Sequence, residues 1–186
     1  MSTLLIVVIC VVVFALFVIS IYNGLVKLRN NRENAFADID VQLKQRYDLI
    51  PQLVETVKGY AKHEQGTLTK VVELRNQAMS ATTIDGKIEA ENRFVSALNG
   101  LKVTLEAYPD LKANKNFIQL QEEMSDIENK LAAVRRYFNS ATKEYNNSVQ
   151  TFPSNIIANM FGFAKAEMFD LGNDRVNYDK APKVSF

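Results

Sequence analysis

The chain has 186 residues, 22 basic and 21 acidic side chains, and a formal net charge of +1. That length holds an apolar anchor plus one ordinary domain of about 150 residues, and the even charge balance excludes a basic nucleic-acid face. One histidine and one cysteine exclude a His-based metal cluster, a Ser-His-Asp triad and an intrachain disulfide. Seven Gly, four Pro and no Trp leave little turn punctuation, which favours helices over an all-β chain.

Residues 4–21 read LLIVVICVVVFALFVISI, in which 15 of 18 positions are Leu, Ile, Val or Phe, and no charged side chain occurs before Lys27. About 20 apolar residues cross the hydrocarbon core of a bilayer. At about −0.3 to −0.6 kcal/mol per central residue the sum favours insertion by several kcal/mol. A cleaved signal peptide needs a basic n-region and a small-residue cleavage site, and neither is present. A buried core helix would keep a polar face, and this stretch has none. The expectation is therefore an uncleaved single-pass anchor over residues 1–26, with Leu4, Phe14 and Ile21 in lipid and Tyr22 at the interface. Lys27, Arg29 and Arg32 follow at once, so the positive-inside rule puts the remainder of the chain in the cytoplasm.

Further on, apolar residues fall at helical spacing: Phe36, Ile39, Leu43, then Ile50, Leu53, Val57, Tyr60, then Val71, Leu74, Ala78. Arg46, Glu64 and Thr67 fill the seam positions between these blocks. The register passes through Pro51, where a kink is expected, and residues 82–86 (TTIDG) form the first clear break. A second helix is predicted over residues 87–107 on Phe94, Leu98, Leu101, Leu105 and Tyr108, ended by Tyr-Pro-Asp at 108–110. A third covers residues 112–150 on a seam of Phe117, Leu120, Met124, Ile127, Leu131, Val134, Phe138, Ala141 and Tyr145. A short helix over SNIIANMFGF follows Pro153, and residues 164–186 read as an irregular tail. The predicted fold is all-α: a transmembrane helix, then an antiparallel three- or four-helix bundle over residues 27–163.

No catalytic, cofactor-binding or metal-ligating set emerges. His63 reads as a polar helix residue. Asp38 and Asp40 point to different helix faces, as do Glu122 and Glu123, whereas Asp126 and Lys130 continue a solvated ion-pair face. The aromatic residues Tyr137, Phe138, Tyr145, Phe152, Phe161 and Phe163 have core spacing rather than that of a base-stacking surface. Arg46 differs from all of these. Seated between Leu43 and Ile50, it should be partly buried and paired with a carboxylate of another helix, with Glu128 as one candidate, and so fix the specificity of the bundle.

The segment YNGLVKLRNNRENAFADIDVQLKQRYDLIPQLVETVKGYAKHE, from Tyr22 to Glu64, resembles the signature block of the LemA family. IENKLAAVRRYFNSATKEYNNSVQTFPSNIIANMFGF, from Ile127 to Phe163, resembles its second block, and Val184-Ser185-Phe186 its closing V-x-F. Phe36 stands where the family often has Trp, and Phe138 where Tyr is common. The resemblance implies a bacterial membrane protein with an N-terminal span and a long helical bundle, and no assigned reaction. Some relatives are associated with building internal bacterial membranes.

The functional expectation is a non-enzymatic scaffold in the bacterial inner membrane that self-associates and organises or shapes the bilayer. The alternative is a tethered module that recruits a protein partner through its C-terminal segment. The expected partners are the lipid bilayer and further copies of the chain, with another protein under the alternative reading, and not nucleic acid.

Overall fold

A computed structural model describes residues 2–169, and those residues are all-helical, without a strand. α1 runs from Ser2 to Lys58 and continues through Pro51, which is exposed. A 3-10 turn, Lys62–Glu64, leads into α2 (Gln65–Ser80), followed by α3 (Ile84–Leu105) and the single turn α4 (Pro109–Lys112). α5 (Lys115–Gln150) and α6 (Ser154–Met160) complete the helices. The chain divides into two compact units, one made of Met1–Asp38 with Val134–Met168 and the other centred on Ile39–Ala133. α1 and α5 each supply a segment to both.

The second unit is a four-helix arrangement. Asp40, Tyr47 and Phe94 contacts set α1 parallel to α3: Lys87 meets Asp40, and the Tyr47 and Phe94 rings lie edge to face at 5.5 Å. Arg75 of α2 donates to the Tyr47 carbonyl at 2.7 Å, and Lys102 of α3 meets Glu128 of α5 at 2.9 Å. Sequential helices are thus antiparallel, as short connections require. Ile39, Leu43, Ile50, Leu53 and Val57 of α1 are buried with Leu68, Val71 and Ala78 of α2, Phe94, Leu98, Leu101 and Leu105 of α3, and Phe117, Leu120, Met124, Ile127 and Leu131 of α5. Of the nine α5 seam positions only Val134 is half-exposed.

In the first unit α1 and α5 run antiparallel. Phe36 meets Phe138 edge to face at 5.4 Å, and Leu25, nearer the N-terminus, clusters with Tyr145 and Val149, further along α5. α6 folds back onto this cluster through Ile157 and Ala158. Its end has the Schellman form: the Phe163 N–H bonds the Ala158 carbonyl at 2.9 Å, with Gly162 left-handed at φ 74°. Only glycine takes that position without strain.

Two boundaries differ from the sequence expectation. The first break falls at 59–64, well before residue 82. Gly59 is a poor helix former, Ala61 leaves the helical region at φ −116° and ψ 62°, and the Tyr60 hydroxyl accepts from Asn114 at 2.9 Å. Glu64, read as a seam residue, instead accepts from the Tyr108 hydroxyl at 3.1 Å. The apolar spacing survives the reversal because α1 and α2 bury their stripes in one core, so periodicity alone cannot see it. The second difference is that α3 starts inside TTIDG. Thr83 is its N-cap, with Oγ1 accepting from the Gly86 N–H at 3.1 Å, and Asp85 favours the positive end of the helix. A Cβ on Gly86 would lie 2.8 Å from that hydroxyl, so the glycine belongs to the cap and not to a linker.

Candidate functional site

Along α1, every seventh residue from Leu25 (Leu25, Arg32, Ile39, Arg46, Leu53) is buried, and two of these five are arginines. A heptad column faces one way along a helix, so both guanidinium groups enter the protein interior and must find partners there.

Arg46 is 2% exposed and pairs with Glu91 of α3, itself 0% exposed. The Tyr47 hydroxyl donates to Glu91 Oε2 at 2.6 Å, and the Arg46 guanidinium stacks 5.2 Å from the centre of the Phe94 ring. The carboxylate therefore receives a cation and a phenol within an apolar wall, a geometry that fixes α1 against α3. Glu128, the sequence candidate for this role, lies at the surface with Lys102. Glu91 carried a readable signal: it interrupts the apolar face of α3 three residues after Ile88 and three before Phe94.

Arg32, by sequence one of three cations following the apolar run, is only 8% exposed. Its Nε donates to Thr142 Oγ1 at 3.3 Å, its Nη2 to the Glu167 carbonyl at 3.0 Å, and its guanidinium lies 5.0 Å from the Phe138 ring centre. Beside it Asn146 makes a two-way bond with Ala166, side-chain amide to carbonyl at 2.9 Å and backbone N–H to Oδ1 at 2.8 Å. The Tyr145 hydroxyl donates to the Ala164 carbonyl at 2.9 Å. Burial raises the Tyr145 pKa above the ordinary phenol value, against the opposing charges of Arg29 and Arg32, so it remains a donor at neutral pH. Residues 164–168, expected as the start of an irregular tail, are non-helical but strapped to α1 and α5. Residues 170–186 of that expected tail lie outside the described residues.

Within α1 an 18-residue window has a mean hydropathy of 3.5 with none of it buried, long and apolar enough to cross a membrane. Leu4 and Phe14 are exposed at 75% and 67%. Ile21 packs on the Leu25 cluster, and Tyr22 meets Phe161 and Phe163 at 4.9 and 5.7 Å. Lys27 and Arg29 are exposed, Arg29 lying 5.4 Å from the centre of the Phe163 ring and 4.0 Å from Glu33. His63 sits exposed in the 3-10 turn, and among the described residues no three His, Cys, Asp or Glu side chains gather as a metal site would need. An apolar cleft of about 250 Å³ opens beside the Lys102–Glu128 pair, lined by Leu53, Leu98, Leu101 and Phe117.

The model of the LemA family matches residues 35–186. Protein LemA of Metamycoplasma hominis is 28% identical over 160 residues, which cover 84% of this chain and 73% of that protein. Magnetosome protein MamQ 2 of Paramagnetospirillum magneticum is 22% identical over 188 residues, 87% of this chain and 69% of its own length. Magnetosome protein MamQ of Magnetospirillum gryphiswaldense is 22% identical over 174 residues, covering 80% and 64%.

Proposed function

This chain belongs to the LemA family, a membrane-associated one, and on that premise we propose that it is a non-enzymatic scaffold: a single-pass inner-membrane anchor carrying a cytoplasmic helical bundle that self-associates and organises or shapes the bilayer. One observation carries the reading. α1 is bare and apolar over its first turns and is built into the bundle core further along, with no linker between. Force or order in the bundle then passes to the membrane through one continuous helix, which suits a structural role better than a tether. The buried charges serve the same reading, because Arg46–Glu91 and Arg32 are sealed from solvent and so hold helices together rather than meet a substrate. Two of the relatives above are named magnetosome proteins, and some members of the family are associated with building internal membranes; both support a part in membrane organisation. Exposed Lys27 and Arg29 beside Tyr22 support the cytoplasmic side.

The test is the mass of the full-length protein in mild detergent, by light scattering coupled to size exclusion. A large uniform assembly is the expected result. A monomer or dimer would contradict assembly into a scaffold and favour partner recruitment, to be followed by partner capture with and without residues 170–186.

A further inference from the structure

The chain from Thr151 to Phe163 (TFPSNIIANMFGF) contains no charged side chain. Ile157 and Ala158 turn inward, while Phe152, Ile156, Met160 and Phe161 are exposed at 74%, 52%, 68% and 53%. Ile156 and Met160 are four apart on one side of α6, and Phe152 and Phe161 flank the helix just before its start and just after its end. A set of large apolar groups left bare on one side of a folded unit marks a binding surface.

Its position names the occupant. The cluster that α6 joins takes in Val18 and Ile21 of α1, and Val18 lies inside the apolar run, about 4.5 Å or one turn short of its end at 1.5 Å per residue. The Tyr22 ring, at the end of that run, packs against Phe161 at 4.9 Å. A helix packed this far down the anchor cannot stand clear of the bilayer that the anchor crosses. We propose that α6, with Phe152 and Phe161, lies in the lipid interface beside α1 as a second membrane contact, inserted to the depth of the headgroup–acyl boundary. The proposal rests on α1 being the membrane span.

The backbone there is prepared for a dry setting, where unpaired polar groups are costly. The Thr151 hydroxyl bonds the Asn147 carbonyl at 2.7 Å, and the Ser154 hydroxyl bonds the Thr151 carbonyl at 2.8 Å. The Schellman bond from Phe163 closes the other end at 2.9 Å. Arg29, whose guanidinium lies 5.4 Å from the Phe163 ring centre, and Lys165, two residues past Phe163, are exposed beside the patch, where cations meet anionic headgroups. α6 thus resembles an interfacial helix: short, apolar on its outer side and flanked by positive charge.

The chain has no Trp, so a single introduced Trp reports alone. Full-length Phe152→Trp, Ile156→Trp and Met160→Trp are reconstituted in phosphatidylcholine–phosphatidylglycerol vesicles with lipids brominated either high on the acyl chain or near its middle. Phe14→Trp reports the span and Val103→Trp an exposed apolar position of α3. The α6 reporters should shift to the blue and lose most emission to the shallow bromines, Phe14→Trp should be quenched by the deep ones, and Val103→Trp should be unaffected. If Phe14→Trp is quenched while the α6 reporters emit as in water, the interfacial helix is wrong and the anchor stands. Blue-shifted but unquenched α6 reporters would mean protein covers the patch, such as a second copy, and would also overturn the proposal. Equal quenching at Val103 would remove its selectivity. An unquenched Phe14→Trp would overturn the anchor itself, and the interfacial helix with it.

Discussion

Arg32 and Arg46 stand two heptads apart on one helix, each nearly sealed from solvent and each stacked on a phenylalanine of another helix. Their named partners differ in kind. In the Ile39–Ala133 unit Arg46 meets a carboxylate, Glu91, that is more deeply buried than itself. In the unit of Met1–Asp38 with Val134–Met168, Arg32 meets a hydroxyl and a backbone carbonyl, and the carbonyl belongs to a non-helical segment. The first arrangement locks helix to helix, the second locks a strap to two helices. Identical residues at the same phase of a helix therefore do different structural jobs, decided by what the rest of the chain brings opposite them.

Breaking the ionic lock should have the largest effect. Glu91→Ala or Arg46→Glu leaves a buried charge without its partner, a loss of about 3–5 kcal/mol, measurable by denaturant unfolding of the full-length protein in detergent. The pair Arg46→Met with Glu91→Leu should recover most of that loss, because a well-packed apolar replacement is often neutral or stabilising. Unchanged stability in Arg46→Glu would contradict the role of Arg46 in fixing the bundle.

The strap should respond less and more locally. Arg32→Met removes charge-assisted bonds worth about 1.5–3 kcal/mol, and Asn146→Ala leaves both polar groups of Ala166 unpaired, for roughly 1–3 kcal/mol. Hydrogen exchange should show Ala166 and its neighbours losing protection while the amides of α2 and α3 keep theirs. Equal loss in both units would show that the strap is not a local device.

A surface pair sharpens the contrast further. Lys102 and Glu128 meet at 2.9 Å with side chains 44% and 41% exposed, so Lys102→Ala should change stability by less than about 1 kcal/mol. The smallest effect is alkaline. The folded-state pKa of Tyr145 is raised, so its contribution is whole below the unfolded phenol value of about 10 and is lost as pH climbs through the raised value. Tyr145→Phe should flatten that limb of the stability profile and leave neutral pH nearly unaffected apart from the lost bond to Ala164.

The helices themselves were readable because each buries a single stripe: the Phe117–Tyr145 seam of α5 is a repeat that only a helix satisfies. Arg46 was readable for the same reason, as a charge inside an apolar block. Its partner was only half readable: Glu91 interrupts the apolar face of α3 and so marks itself as inward, but which buried cation it meets depends on the relative rotation of helices, which spacing within one helix does not encode. Arg32 was hidden by context, one of three cations after an apolar run, although its heptad column with Leu25 and Ile39 marked it as inward. The turn at 59–64 was invisible because the two helices around it share a core. The strap of residues 164–168 was invisible because backbone carbonyls, not side-chain types, do most of the binding.

The proposed scaffold requires that the bundle order a bilayer crossed by α1. Full-length protein reconstituted at rising density into large vesicles and imaged by cryo-electron microscopy tests it most directly. If the bundles assemble and organise the membrane, protein-dense patches should form with regular spacing and altered local curvature, growing with density. Vesicles that stay smooth and round at every density, with the protein dispersed as single copies, would contradict it.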